Sequence, residues 1–155
     1  MKRTTAREIA VELSFAAAAA GCCADELLDS FFSDEHYPTL AEENELFAEK
    51  PDRDQMEYIR RLTTEVCDRA DELDGYIERY SRGWKAGRIS RTARAVLRTA
   101  ICEILYIEDV PPAVAINEAV ELDKSYDDAE TVAFVNGVLG GFMKGEFPDG
   151  GDAAE

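Results

Sequence analysis

The sequence predicts an all-α protein, and three observations carry that reading. Apolar residues recur at steps of three and four through most of its length, which is the helical period. No segment reads as a strand. The punctuating residues Gly21, Pro51 and the pair Pro111 and Pro112 fall between the periodic stretches. At 155 residues and 46% hydrophobic content, the chain can build one well-cored domain or two small lobes sharing a core. It has no internal repeat.

The first helix is expected over about Thr4 to Ala20, with Ala6, Ile9, Ala10, Leu13 and Ala17 inward and Gly21 ending it. Small alanines there allow close approach of a neighbouring helix. Lys2, Arg3 and Arg7 cluster at its start on another face. Phe15 projects away from the apolar stripe, either to pack under a later segment or to be displayed beside the basic residues. Asp25 is expected to cap a second helix reaching Phe32. A turn over Ser33 to Thr39 and a third short helix over Leu40 to Ala48 follow. A helix from near Asp52 buries Met56, Ile59, Thr63, Val66, Ala70, Leu73 and Ile77, with a break between Asp71 and Gly75. Ser81 to Gly87 reads as a linker that Trp84 anchors on the core.

The organising element is a helix from about Ile89 to Ile107, with Ala93, Val96, Leu97, Ala100, Ile101 and Ile104 on its apolar face. After it, Pro112 can start a helix that buries Ala115, Ile116, Ala119, Val120 and Leu122. Asp127 or Asp128 begins the last helix, whose core face is Val132, Val135, Val138, Leu139 and Phe142. Gly137, Gly140 and Gly141 each cost about 1 kcal/mol of helix propensity against Ala, so tight helix contact is the expected compensation. The tail beyond Gly145 is rich in Gly and Asp and should be loose.

Charge is distributed unevenly. The chain carries a formal net charge of -16, yet Arg79 to Cys102 holds seven Arg or Lys residues and no Asp or Glu. A field of that sign opposes indiscriminate binding to polyanions, but screening over roughly 10 Å leaves room for a local nucleic-acid patch. With a single His, most general-base and triad arrangements fall away. Among 33 carboxylates, acid pairs arise by coincidence and do not indicate hydrolysis. Cys22, Cys23, Cys67 and Cys102 show no zinc or redox spacing, and His36 has no partner at metal spacing. The expectation is therefore a non-enzymatic protein with no metal, no cofactor and no small-molecule substrate. No membrane span or targeting element is legible, so a cytoplasmic location is expected. Surface binding is what remains, and Lys2, Arg3, Arg7 and the stretch from Arg79 to Arg98 are the best candidates, because Arg pairs with phosphate and stacks on bases.

Four segments resemble one family. The run DVPPAVAINEAVELDKSYDDAETVAFVNGVLG from Asp109, RAVLRTAICEIL from Arg94, LDGYIERY from Leu73 and TAREIAV from Thr5 are similar to the NusB transcription antitermination family. The resemblance spans nearly the whole chain and is weakest over residues 25 to 55. It implies a NusB-like compact helical domain over residues 1–145, made of two packed helical subdomains that divide near 75–87, and a flexible acidic tail over 146–155. It further implies binding to the boxA single-stranded RNA of ribosomal RNA leaders, together with the NusE ribosomal protein and the RNA polymerase elongation complex. The implied RNA surface includes Lys2, Arg3, Arg7 and Phe15, the last standing where the family commonly has Tyr. The basic island would extend it through Arg79, Arg82, Lys85, Arg88 and Arg91. Partner contact is expected at Arg94, Arg98 and Glu103, since Ala93 stands where an acid is usual. Asn117 and Asn136 are expected to bond backbone at helix junctions, with Gly137 packing closely. Two other readings remain: a protein–protein adaptor that has lost RNA affinity, and a detached RNA-targeting module like the N-terminal domain of ribosomal RNA cytosine methyltransferases.

Overall fold

The computed structural model describes residues 1–21, 23–81 and 89–149. Among them are eight α-helices, one short 3-10 turn and no strand. The helices are α1 (Arg3–Ala20), α2 (Ala24–Phe31), α3 (Tyr37–Leu40), α4 (Arg53–Asp68), α5 (Ala70–Tyr80), α6 (Arg91–Tyr106), α7 (Pro112–Asp123) and α8 (Ala129–Glu146), with the 3-10 turn at Glu45–Phe47. They form two compact units, Met1–Asp68 and Arg69–Glu155.

In the first unit α1 packs chiefly along α4, and α2 packs on both. Ala6, Ala10 and Ala17 are buried and short, which lets the α4 side chains Ile59, Leu62 and Val66 come close beside Ile9 and Leu13. Ser14 is buried on the same helix, and its hydroxyl donates to the Ala10 carbonyl at 2.8 Å, so no polar group is stranded. Gly21 ends α1 at φ 67°, a left-handed conformation open to glycine at no steric cost.

In the second unit α6 is the hub, touched by α5, α7 and α8. Its buried set reaches beyond the expected stripe to Ala95, Thr99, Cys102 and Glu103, as befits a helix covered on several sides. Leu97 and Ile101 are fully buried, and truncating either to Ala would cost about 2 to 5 kcal/mol. The Ser90 hydroxyl caps α6 by accepting from the Ala93 N–H at 2.9 Å. Asp128 caps α8 in the same way, through Thr131 N–H at 2.8 Å.

Several expectations are corrected. The break falls at Arg69, not between Asp71 and Gly75, and Gly75 lies exposed within α5 with nothing crowding it. The boundary of the two compact units falls at the same place, between Asp68 and Arg69. Asp25 lies in the first turn of α2 and Cys23 holds the cap position. Residues 37–48 form a four-residue helix and a 3-10 turn instead of one helix over 40–48. The glycine expectation holds at Gly141, where an added Cβ would sit 3.4 Å from Tyr80, and not at Gly137 or Gly140, where it would meet nothing within 4 Å. The α8 helix continues to Glu146, and an added Cβ at Gly145 would collide with the Tyr80 hydroxyl. Trp84 lies outside the described residues.

Candidate nucleic-acid interface

Helix starts favour acidic side chains, because the unpaired N–H groups there carry partial positive charge. The first turn of α1 has none: Lys2 holds its cap position and Arg3 its first helical position. Lys2 is exposed. Arg3 lies with its guanidinium 3.9 Å from the centre of the Tyr58 ring, and its Nε donates to Gln55 Oε1 at 2.9 Å. These two contacts come from α4 and orient the guanidinium. Arg7, one turn on, stands 5.9 Å from the same ring and is buried. Phe15 is 37% exposed, so it is displayed and not packed away. It lies roughly 18 Å further along the axis than Arg3.

The basic island of α5 and α6 is organised differently. Arg98 makes a two-pronged bond to Asp74, Nε to Oδ1 at 2.8 Å and Nη2 to Oδ2 at 2.6 Å. Arg94 adds a contact to Asp74 Oδ1 at 3.2 Å. Burial would raise the Asp74 carboxyl, but the bonds and charges of Arg98 and then Arg94 outweigh it and hold the group below the usual carboxylate range. Arg79 donates to Glu146 Oε2 at 2.7 Å, and Tyr80 donates to the same oxygen at 2.5 Å. The Tyr80 bond, ahead of the Arg79 bond and charge, lowers the Glu146 carboxyl. Arg91 is exposed and has no charged partner among the described residues. Arg82, Lys85 and Arg88 lie outside the described residues.

Glu103 is buried, so it cannot serve as the displaced surface carboxylate expected of it. Ala93 is buried as well. Asn117 and Asn136 point to solvent and make no side-chain hydrogen bond among the described residues, which corrects the junction role expected for them. Cys67 is half-buried and Cys102 buried. Among the described residues no group of His, Cys, Asp or Glu has metal-binding geometry, and no helix is long and apolar enough to cross a membrane.

A family model for the NusB family matches residues 4–144. The chain belongs to the NusB family. Transcription antitermination protein NusB of Symbiobacterium thermophilum is 37% identical over 148 residues, covering 94% of this chain and 91% of that protein. NusB of Myxococcus xanthus is 40% identical over 137 residues, covering 88% and 91%. The solved structure of T. maritima NusB superposes with a TM-score of 0.74 at 26% identity, over 93% of this chain and 92% of the other. Membership of the NusB family carries a general role in transcription antitermination, as a regulator and not an enzyme.

Reading the sequence overlooked four residues that shape these surfaces: Tyr58, Gln55, Asp74 and Glu146. Tyr58 stands one turn before Leu62 on the buried side of α4, a spacing that could have flagged it. Asp74 and Glu146 carry no such signal, since they sit among many carboxylates. A fifth, Asp123, was legible: it continues the four-residue spacing of buried Ala115 and Ala119. Neither of its carboxyl oxygens finds a donor among the described residues, while neighbouring Asp127 accepts the Ser90 hydroxyl at 3.1 Å. Burial first, then a shared hydrogen bond with Asp127 and the charges of Asp127 and Asp128, push the Asp123 carboxyl up to about 7. It therefore exchanges its proton near neutrality, and its protonated form can donate to Asp127.

Proposed function

We infer that this chain acts in antitermination by binding boxA-type single-stranded RNA through the start of α1, in company with NusE and the RNA polymerase elongation complex. The observation that supports the reading is the first turn of α1. Cationic side chains occupy a helix start that would ordinarily hold acids, and Arg3 is fixed there by the Tyr58 face and the Gln55 amide. An oriented guanidinium can meet phosphate with little further loss of freedom. The exposed Phe15 ring adds a stacking surface further along the same helix. Arg7, being buried, supports the Tyr58 site from beneath and makes no phosphate contact.

The test is fluorescence anisotropy of a labelled boxA-like RNA with the chain and NusE at several salt concentrations. Lys2→Ala/Arg3→Ala should weaken binding about tenfold and flatten the salt dependence by about two charges. Arg91→Ala should change affinity less than twofold. Equal binding of boxA and a scrambled RNA by the wild type would defeat the reading. One observation favours a protein–protein adaptor as second reading: Arg79, Arg94 and Arg98 are already paired with carboxylates. The adaptor takes over if NusE binds while no RNA does.

A further inference from the structure

Between α2 and α4 the first unit carries an acidic segment. From Asp34 to Asp54 the sequence has eight carboxylates against Lys50 and Arg53. Such a run would normally be solvated and loose. Here it is pinned down. Phe31, Phe32, Tyr37 and Phe47 form one aromatic cluster with ring centres 4.9 to 6.1 Å apart. The Tyr37 hydroxyl donates to the Glu49 carbonyl at 2.9 Å, which closes the segment on itself.

The closure leaves an open cavity of about 320 Å³, walled by Tyr37, Pro38, Ala41, Phe47 and Ala48. An ion pair of Lys50 with Asp34, 3.6 Å, stands at its edge. Close to these lining residues along the chain, Glu35, Glu42, Glu43 and Glu45 are exposed and have no ion-pair partner among the described residues. A mostly apolar cavity on a chain segment with a surplus of exposed carboxylates selects its occupant. Phosphate-bearing ligands meet the net negative charge of the segment, with Lys50 already paired to Asp34, and a neutral small molecule makes no use of the carboxylates. A polypeptide that is cationic and carries one large apolar side chain satisfies both parts.

We propose that this cavity is a docking site for a Lys- and Arg-rich peptide segment, which seats one apolar side chain against Tyr37 and Phe47 while its flanking cations meet Glu42, Glu43 and Glu45. The apolar anchor supplies the localised affinity and the carboxylates speed encounter and select for charge. The site is independent of the RNA reading, since it uses none of the α1 residues.

The probe is a fluorescein-labelled peptide with one central leucine flanked on each side by four lysines. A second probe carries serine in place of the leucine. Both are titrated into the full chain and followed by anisotropy. The leucine peptide should bind at least tenfold tighter than the serine peptide. Ala41→Phe, which fills the cavity from an exposed position, should abolish that difference. Glu42→Gln/Glu43→Gln/Glu45→Gln should weaken the leucine peptide at least tenfold. The same charge change placed elsewhere, Asp71→Asn/Glu78→Gln/Glu108→Gln, should alter it less than twofold. Circular dichroism on each variant separates lost binding from lost fold. Equal binding of the two peptides, equal effects of the two charge-removing triples, or preference for a single-stranded RNA of similar length would each overturn the proposal.

Discussion

The start of α1 and the outer face of α6 both present arginines, and they hold them by different means. Arg3 is seated against the Tyr58 ring and the Gln55 amide of α4. Arg94 and Arg98 converge on one carboxylate, Asp74. The first arrangement orients a cation against α4, whereas the second gathers two cations on one carboxylate and ties α5 to α6. Arginine density along the sequence therefore says little about where a polyanion will bind. What also matters is which carboxylates reach those arginines from other elements, as Asp74 of α5 reaches Arg94 and Arg98 of α6.

That contrast can be broken in several places. The largest effect should come from Asp74→Ala, which leaves two partly buried guanidinium groups without their shared carboxylate. Urea denaturation should show a loss of about 2 to 3 kcal/mol, below the full value for a deeply buried pair because Asp74 keeps some solvent contact. RNA affinity should move less than threefold if α6 is structural. Because the folded Asp74 carboxyl lies below its unfolded value, its contribution is present at neutral pH and is lost as pH falls through the folded pKa, below about 4.

Asp123 should behave in the reverse sense. Its folded pKa lies near 7, above the unfolded value, so its protonated form favours folding and the advantage fades as pH rises from about 4 to about 7. Above that window the buried carboxylate faces Asp127 at a cost on the order of 2 kcal/mol, after allowing for solvent screening. Asp123→Asn can still donate to Asp127 and carries no charge. Its urea midpoint should be flatter than wild type between about pH 5 and pH 8, and higher at the upper end. An unchanged slope would show that the pair does not share a proton.

A smaller effect is expected at the α1 platform. Tyr58→Leu should weaken boxA binding about fivefold, equivalent to about 1 kcal/mol of lost cation–ring contact, while Tyr58→Phe should keep it. Equal losses in the two variants would assign the effect to the hydroxyl and remove the ring from the account. Smallest of all, Arg91→Ala should change folding stability by less than about 0.5 kcal/mol, as befits an exposed side chain with no charged partner among the described residues.

The helices were legible because their buried faces repeat locally: Ile59, Leu62 and Val66 on α4, Leu73 and Ile77 on α5, and Val96, Leu97, Ala100 and Ile101 on α6. The break at Arg69 was not, because no glycine or proline marks it. Gly75 looked like the better breaker, yet an exposed glycine in a helix otherwise well packed costs only about 1 kcal/mol. At the site, Lys2, Arg3 and Phe15 could be read from their spacing, but the support beneath Arg3 comes from α4, fifty residues away along the chain. The carboxylate partners of Arg79, Arg94 and Arg98 were not legible for the same reason. The stretch from Arg79 to Cys102 contains no acid, but Asp74 and Glu146 reach it from outside that window. Asn117 and Asn136 drew attention as amides in apolar helices, and both face water.

The bonds of Arg79 and Tyr80 to Glu146 have a consequence for how the second unit opens. The end of α5 and the last turn of α8 share one carboxylate, and Tyr80 also lies against Gly141 and Gly145. Neither helix end can fray alone without giving up the other's bonds. Amide hydrogens in the two final turns should therefore exchange with solvent as a single cooperative event, and Glu146→Gln should accelerate both by a similar factor.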